Sequence, residues 1–251
     1  MGSDPEVVIP SGISKVGDQA LTCNRTVKRV VVPEGVRFIG ANAFSSCVYL
    51  EEIVLPSTIE SIGAEAFKGC RSLKRLTIPE GVASIEERTF LRCVQLEELR
   101  LPDSLTVIKN DAFRGCESLT SLVVPSGVRD IPKKAFDGCV NLEAVQLPAN
   151  LETIEDEAFL KCAKLSSLDI PATVGWIGRR CFMGCTALES VVVPEGVASI
   201  EEETFRGCVA LTSVKLPQGL QVVDHRAFYG CEQLADCEMP PGVEFLSEEI
   251  F

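Results

Sequence analysis

The sequence is poor in the side chains that carry most enzyme chemistry. Its 251 residues include one histidine, one tryptophan, two tyrosines and three methionines. A Ser-His-Asp or Cys-His centre needs a histidine beside its nucleophile. The lone His225 stands among charges in "VDHRAF", so the chain reads as a non-enzyme. No G-x-x-x-x-G-K-[ST] or G-x-G-x-x-G run follows a strand-like stretch, and nothing calls for a cofactor. No apolar run approaches the roughly 18 residues of a membrane-spanning helix, so membrane insertion is not expected. The opening "MGSDPEVVIPSG" has no basic stretch leading into an apolar one, hence no secretion signal. Basic runs are missing too. With 36 acidic against 24 basic residues the formal charge is −12, which repels a phosphate backbone, and nucleic acid is not an expected partner.

What the sequence has instead is a period. Prolines recur every 23 residues from Pro10 to Pro240, phenylalanines from Phe44 to Phe251 and cysteines from Cys47 to Cys231, with no insertion or deletion. One unit reads "LEEIVLPSTIESIGAEAFKGC" (Leu50 to Cys70). In "LEEIVLP", Ile53 and Leu55 alternate with Glu52 and Val54, a strand with one buried face that the proline ends. Ile59 and Ile62 then point inward from a second extended piece. Residues 63–69 read as a helical turn, with Ala66 and Phe67 inside and Gly69 allowing positive φ. One unit cannot bury its apolar side alone; stacked on copies of itself, it can. The expectation is a single repeat solenoid over residues 1–251, with ten to eleven 23-residue repeats. It should be mainly β, with short parallel strands and short helical turns, in one curved rod of coils about 4.8 Å apart. The first repeat is incomplete and the last stops at Phe251 without a polar cap. The chain therefore reads as a piece of a longer array, and its uncapped ends predict end-to-end self-association.

Twelve cysteines invite reactive readings. Nine lie on the repeat, so their Cβ atoms stand side by side about one strand spacing apart. A disulfide needs Cβ atoms ~3.8 Å apart and a dihedral near ~90°. Zinc needs convergent ligands, usually C-x2-4-C pairs. A line of single thiols offers neither, so no disulfide and no metal site is expected, and the column reads as free, buried, small apolar side chains. Cys181, before Phe182, and Cys237, on an inward strand position, read as core too. Cys23 falls one place short of the column and is the thiol expected to be exposed and reactive. Unpaired thiols and the absent signal favour a reducing, cytoplasmic setting.

Charge follows the same step. Lys28-Arg29, Glu51-Glu52, Lys74-Arg75 and Glu97-Glu98 change sign at each coil, so every basic pair should face acidic pairs above and below. A second ladder, before the Ala-Phe pair, runs from Lys133-Lys134 through Asp156-Glu157 and Arg179-Arg180 to Glu248-Glu249. These read as register marks rather than ligands. A slip by one coil keeps the apolar columns but sets like charges together.

The unit resembles the BspA-like leucine-rich repeats over residues 5–251, and "LTSVKLPQGLQVVDHRAFYGC" (Leu211 to Cys231) could stand as a member's repeat. The resemblance implies a right-handed coil and a cell-surface place in adhesion and host contact, against the setting the thiols favour. A solenoid usually binds on its concave strand face. The outward column there, two residues before each proline, is Val31, Val54, Thr77, Arg100, Val123, Gln146, Asp169, Val192 and Lys215. Inward columns barely vary while this one varies freely, as expected where geometry is fixed and chemistry is not. The flanking column is small in the later half: Ser121, Ala144, Ser167, Ser190, Ser213. The result is a shallow groove suited to a protein or extended peptide rather than a small molecule. On the second extended piece, Phe38 and Trp176 are candidate aromatic anchors. The reading is a non-enzymatic protein-binding module, adhesin-like; the alternative is an intracellular scaffold or spacer rod with no ligand groove.

Overall fold

The computed structural model describes residues 5–235 and 237–251. Most coils open with a three-residue strand, as in Arg29–Val31 and Glu52–Val54, though residues 167–169 form none, and continue with a two-residue strand, as in Phe38–Ile39 and Ser61–Ile62. All pairing is parallel, and partners lie one repeat apart: Arg29 faces Glu52, Phe38 faces Ser61. The alternation of the sequence decides the faces. Val30, Ile53, Leu76, Leu99 and Leu122, central in their strands, are buried, while the residues on either side look outward. Phe44 through Phe228 are fully buried and form one stack, with ring centroids 5.2 to 6.0 Å apart.

The third wall differs from the helical turn expected over residues 63–69; among the described residues there is no helix. Alternate N–H groups there go to different places. Ala66, Lys68 and Cys70 donate within the coil, to Gly63, Glu65 and Phe67 carbonyls at 3.2, 3.1 and 3.0 Å. Glu65, Phe67 and Gly69 donate to the next coil, to Glu87, Thr89 and Leu91 carbonyls at 2.9, 3.0 and 2.8 Å. A helix keeps every interior N–H for its own fourth-preceding carbonyl and has none left for a neighbour. Here two residues four apart turn left-handed instead: Glu65 has φ 58° and Gly69 φ 69°. Three such bonds cross each step from residues 19–23 through 203–207.

The two strand ladders are broken where this turn wall is whole. Glu52–Val54 does not pair with Arg75–Thr77, nor Glu98–Arg100 with Ser121–Val123. At the same two steps the short strands part as well, Ser61–Ile62 from Ser84–Ile85 and Val107–Ile108 from Asp130–Ile131, and both ladders part again where residues 167–169 form no strand and Trp176–Ile177 does not pair with Ser199–Ile200. Glycine marks these steps. A Cβ on Gly81 or Gly127 would lie 2.5 or 2.6 Å from the Ile59 or Leu105 carbonyl oxygen of the preceding coil. In the last coil the register slips by one, with Val223 facing Phe245 rather than Leu246. Leu246 is 55% exposed there although its column is otherwise buried, and Phe245 beside it is 47% exposed.

Candidate functional site

The strand face carries the outward column as the alternation requires. Val54, Thr77, Arg100, Val123, Gln146, Asp169, Val192 and Lys215 are exposed. Val31 is half-buried between its register partners Val8 and Val54. Val123 and Val192 each keep 60% of their surface. Where the ladder opens, the face dips. A cleft of about 660 Å³ lies between Glu52–Val54 and Arg75–Thr77, and one of about 380 Å³ between Glu98–Arg100 and Ser121–Val123. Further along, Ser190, Val192, Ser213 and Lys215 line another of about 410 Å³. The main chain shows the same interruption. Val32 and Ile78 N–H donate across closed steps to Val54 and Arg100 carbonyls at 3.0 and 2.9 Å, whereas Leu55 and Leu101 N–H have no such partner among the described residues.

Charges on this face follow the breaks. Lys28 meets Glu51 at 3.2 Å, and Arg29 meets Glu52 at 3.0 Å and also Glu6. The expectation that Lys74 and Arg75 do the same is not met: neither makes an ion pair among the described residues. The open step removes partners on one side only, since Arg75 still faces Glu98 in register across the closed step. Glu51 and Glu52 turn back to Lys28 and Arg29, and Glu98 takes Arg100 of its own strand at 2.7 Å. The second ladder is longer than the paired charges suggest. The residue at φ 51–58° alternates Glu65, Arg88, Asp111, Lys134, Glu157, Arg180, Glu203, Arg226. Arg88–Glu65, Lys134–Glu157, Arg180–Glu203 and Arg226–Glu249 lie 3.5, 3.4, 2.6 and 2.8 Å apart. The signal is legible in that single position rather than in pairs. Burial opposes ionisation of Glu203, but hydrogen bonds from Arg180 and Arg206 win and hold it below the usual carboxylate range.

Phe38 and Trp176 are each 37% exposed. The Arg37 guanidinium sits 5.6 Å over the Phe38 ring while also pairing with Glu60, so Phe38 is partly capped. Trp176 lies on its own short strand against Thr153. His225 Nδ1 stands 2.9 Å from Ser247 Oγ, a contact that spacing does not reveal. Ser247 Oγ also accepts the Glu249 N–H, a local turn, and neither residue lines any of the clefts above.

All twelve cysteines are free. The column fills space and also donates: Cys70, Cys139 and Cys208 Sγ reach the carbonyls of Phe44, Phe113 and Phe182 at 3.1, 3.2 and 3.1 Å. Each such carbonyl already takes one in-coil N–H, as Phe44 takes that of Cys47 at 3.1 Å, so the thiol fills its second lone pair. Burial pushes the Cys93 and Cys139 thiols up to about 12. Cys23 is exposed, and Cys237 half-buried. Among the described residues no group of three His, Cys, Asp or Glu is placed to hold a metal, and no helix is long and apolar enough to cross a membrane.

The sequence profile of a family described as BspA type leucine rich repeat region, in six copies, matches residues 5–120, 37–166 and 152–251. No curated protein matches the chain. Among solved structures, a leucine-rich repeat protein from Bacteroides ovatus is 29% identical with a TM-score of 0.73, over 96% of this chain and 74% of its own. The T. pallidum leucine rich repeat protein is 33% identical with a TM-score of 0.56, over 68% and 72%. A leucine rich cell surface protein from Faecalibacterium prausnitzii is 25% identical with a TM-score of 0.51, over 98% and 89%.

Proposed function

The chain belongs to the BspA-type leucine-rich repeat family, and from that premise we propose a non-enzymatic module that holds a protein or extended peptide on its strand face. One observation carries the reading. The inward columns are near-invariant and buried, while the outward column varies along the chain and leaves Val123 and Val192 60% exposed. Exposed aliphatics beside small Ser and Ala side chains suit contact with another chain. An adhesin-like role at a cell surface is supported by the likeness to the F. prausnitzii cell surface protein. The thiols do not argue against it. Buried thiols are out of an oxidant's reach, so their free state says little about redox compartment. The charge of −12 disfavours nucleic acid on this face.

The test is a pull-down comparing wild type with a variant carrying Arg100→Ala, Gln146→Ala, Asp169→Ala and Lys215→Ala. Loss of a recovered partner supports the strand-face site; undiminished recovery overturns it.

A further inference from the structure

Lys74 and Arg75 are two adjacent strand-face cations left unpaired even though Arg75 faces Glu98 in register. Neither side chain has a hydrogen bond or ion pair among the described residues. Both line the 660 Å³ cleft at the open step, together with Glu52, Val54 and Thr77. Of the carboxylates nearby, Glu51 is taken by Lys28 at 3.2 Å, Glu52 by Arg29 at 3.0 Å and Glu98 by Arg100 at 2.7 Å, while Glu97, whose N–H donates to the Lys74 carbonyl, makes no ion pair among the described residues and does not line the cleft. The cleft thus sets an uncompensated ammonium and guanidinium beside Val54, which is 40% exposed. Its edge also leaves the Leu55 N–H without a main-chain partner among the described residues.

These features select one chemistry. Guanidinium takes a carboxylate through two parallel hydrogen bonds, and ammonium adds a point charge next to it. The unpaired N–H suits a peptide carbonyl, and Val54 suits an aliphatic side chain. The overall charge of −12 works against a long polyanion and leaves room for a short one. We propose that the cleft between Glu52–Val54 and Arg75–Thr77 binds a short, extended, acidic peptide segment, with two adjacent carboxylates on Lys74 and Arg75 and an aliphatic side chain on Val54. This rests on the strand face being the protein-binding surface and names the chemistry of one stretch of its partner.

The experiment uses the whole chain and a fluorescein-labelled, end-capped peptide with two adjacent glutamates flanked by valines, read by anisotropy at low salt. The same peptide with glutamines should bind about three- to tenfold more weakly. The Lys74→Gln/Arg75→Gln variant should lose the same factor, and added salt should erase the difference. Lys133→Gln/Lys134→Gln, on the turn wall, should bind as wild type although it removes ion pairs. Because Lys74 and Arg75 hold no partner, their variant should melt with wild type, which separates lost binding from lost folding. Equal binding of both peptides overturns the proposal, as does binding unchanged in the Lys74/Arg75 variant, or displacement of the peptide by equimolar inorganic phosphate. A partner lost on changing Arg100, Gln146, Asp169 and Lys215 but kept on changing Lys74 and Arg75 would leave the face reading standing and this site fallen. A partner lost on changing Lys74 and Arg75 but kept on changing the other four would support this site and confine the interface to the open step.

Discussion

The turn wall and the strand face are made from the same repeat, yet they are held differently. The turn wall carries three coil-to-coil hydrogen bonds at each step from residues 19–23 through 203–207, an unbroken ring stack, and thiols filling leftover carbonyls. The strand face is laddered in blocks of two or three coils, and at three steps its neighbour ladder parts with it. At those steps the turn wall supplies most of the main-chain bonds between coils, joined by bonds such as the Ser118 N–H to the Val94 carbonyl and the Glu189 N–H to the Ser166 carbonyl, each at 3.0 Å. The difference separates a spine, where every position is constrained, from a face whose outward residues are free to vary and whose openings make clefts. Stability should therefore be concentrated in one wall and adaptability in the other.

Alkali should break that spine most severely. The Cys93 and Cys139 thiols rise from 9.0 to about 12 on burial, so the folded chain keeps protons that the unfolded chain releases. Their contribution is complete below about pH 9 and is lost as pH climbs toward 12. Each such thiol withdraws up to about 1.4 kcal/mol per pH unit in that window. Urea melts from neutral pH upward should show a steep fall beginning near pH 9, made shallower by Cys93→Ala/Cys139→Ala. Next in size, Phe136→Ala should cost about 3–5 kcal/mol, since its ring is wholly buried between Phe113 and Phe159. Val123→Ala on the strand face should stay within about 0.5 kcal/mol. Comparable losses in urea melts of these two variants would erase the contrast between the walls.

The open steps give two finer tests. Gly127→Ala places its Cβ 2.6 Å from the Leu105 carbonyl oxygen, and the overlap should cost about 1–3 kcal/mol by thermal melting. Amide exchange probes the opening itself. Leu55 and Leu101 N–H, without main-chain partners among the described residues, should exchange at least about fivefold faster than Val32 and Ile78 N–H, which donate across closed steps. Equal protection at the four positions would mean that the strand ladder closes in solution.

The period, the faces and the buried columns are legible in the sequence because each depends on spacing alone. Ile53 and Phe67 are inside for reasons visible in "LEEIVLP" and "EAFKGC". The turn wall reads as helical in sequence because Ala66 and Phe67 pack inward in either conformation. The deciding fact is where the Phe67 N–H goes, to Thr89 of the next coil, and no single repeat contains it. The open steps are hidden for a related reason. Pro-x-Gly looks alike at Gly35 and Gly81, yet Gly35 has φ 94° with open space around it while Gly81 sits against a carbonyl. The outward column is readable from strand alternation, but which of its neighbouring cations lack partners depends on those breaks and on pairs within a strand, as of Glu98 with Arg100.

The smallest prediction isolates the left-handed geometry on which the turn wall depends. Gly138 has φ 75°, and a Cβ there would meet nothing nearer than 3.9 Å. Gly138→Ala therefore has no overlap to relieve, and its cost of about 1 kcal/mol is that of holding an L-residue at positive φ. Arg92 occupies the same column at φ 60° and already bears that cost. Arg92→Gly should return a gain of similar size, read as a rise in thermal midpoint, because its side chain has no ion pair to lose among the described residues. If Gly138→Ala were neutral and Arg92→Gly destabilising, the left-handed turns would not be what sets the spine's strength, and the Phe stack and thiol bonds would have to supply it alone.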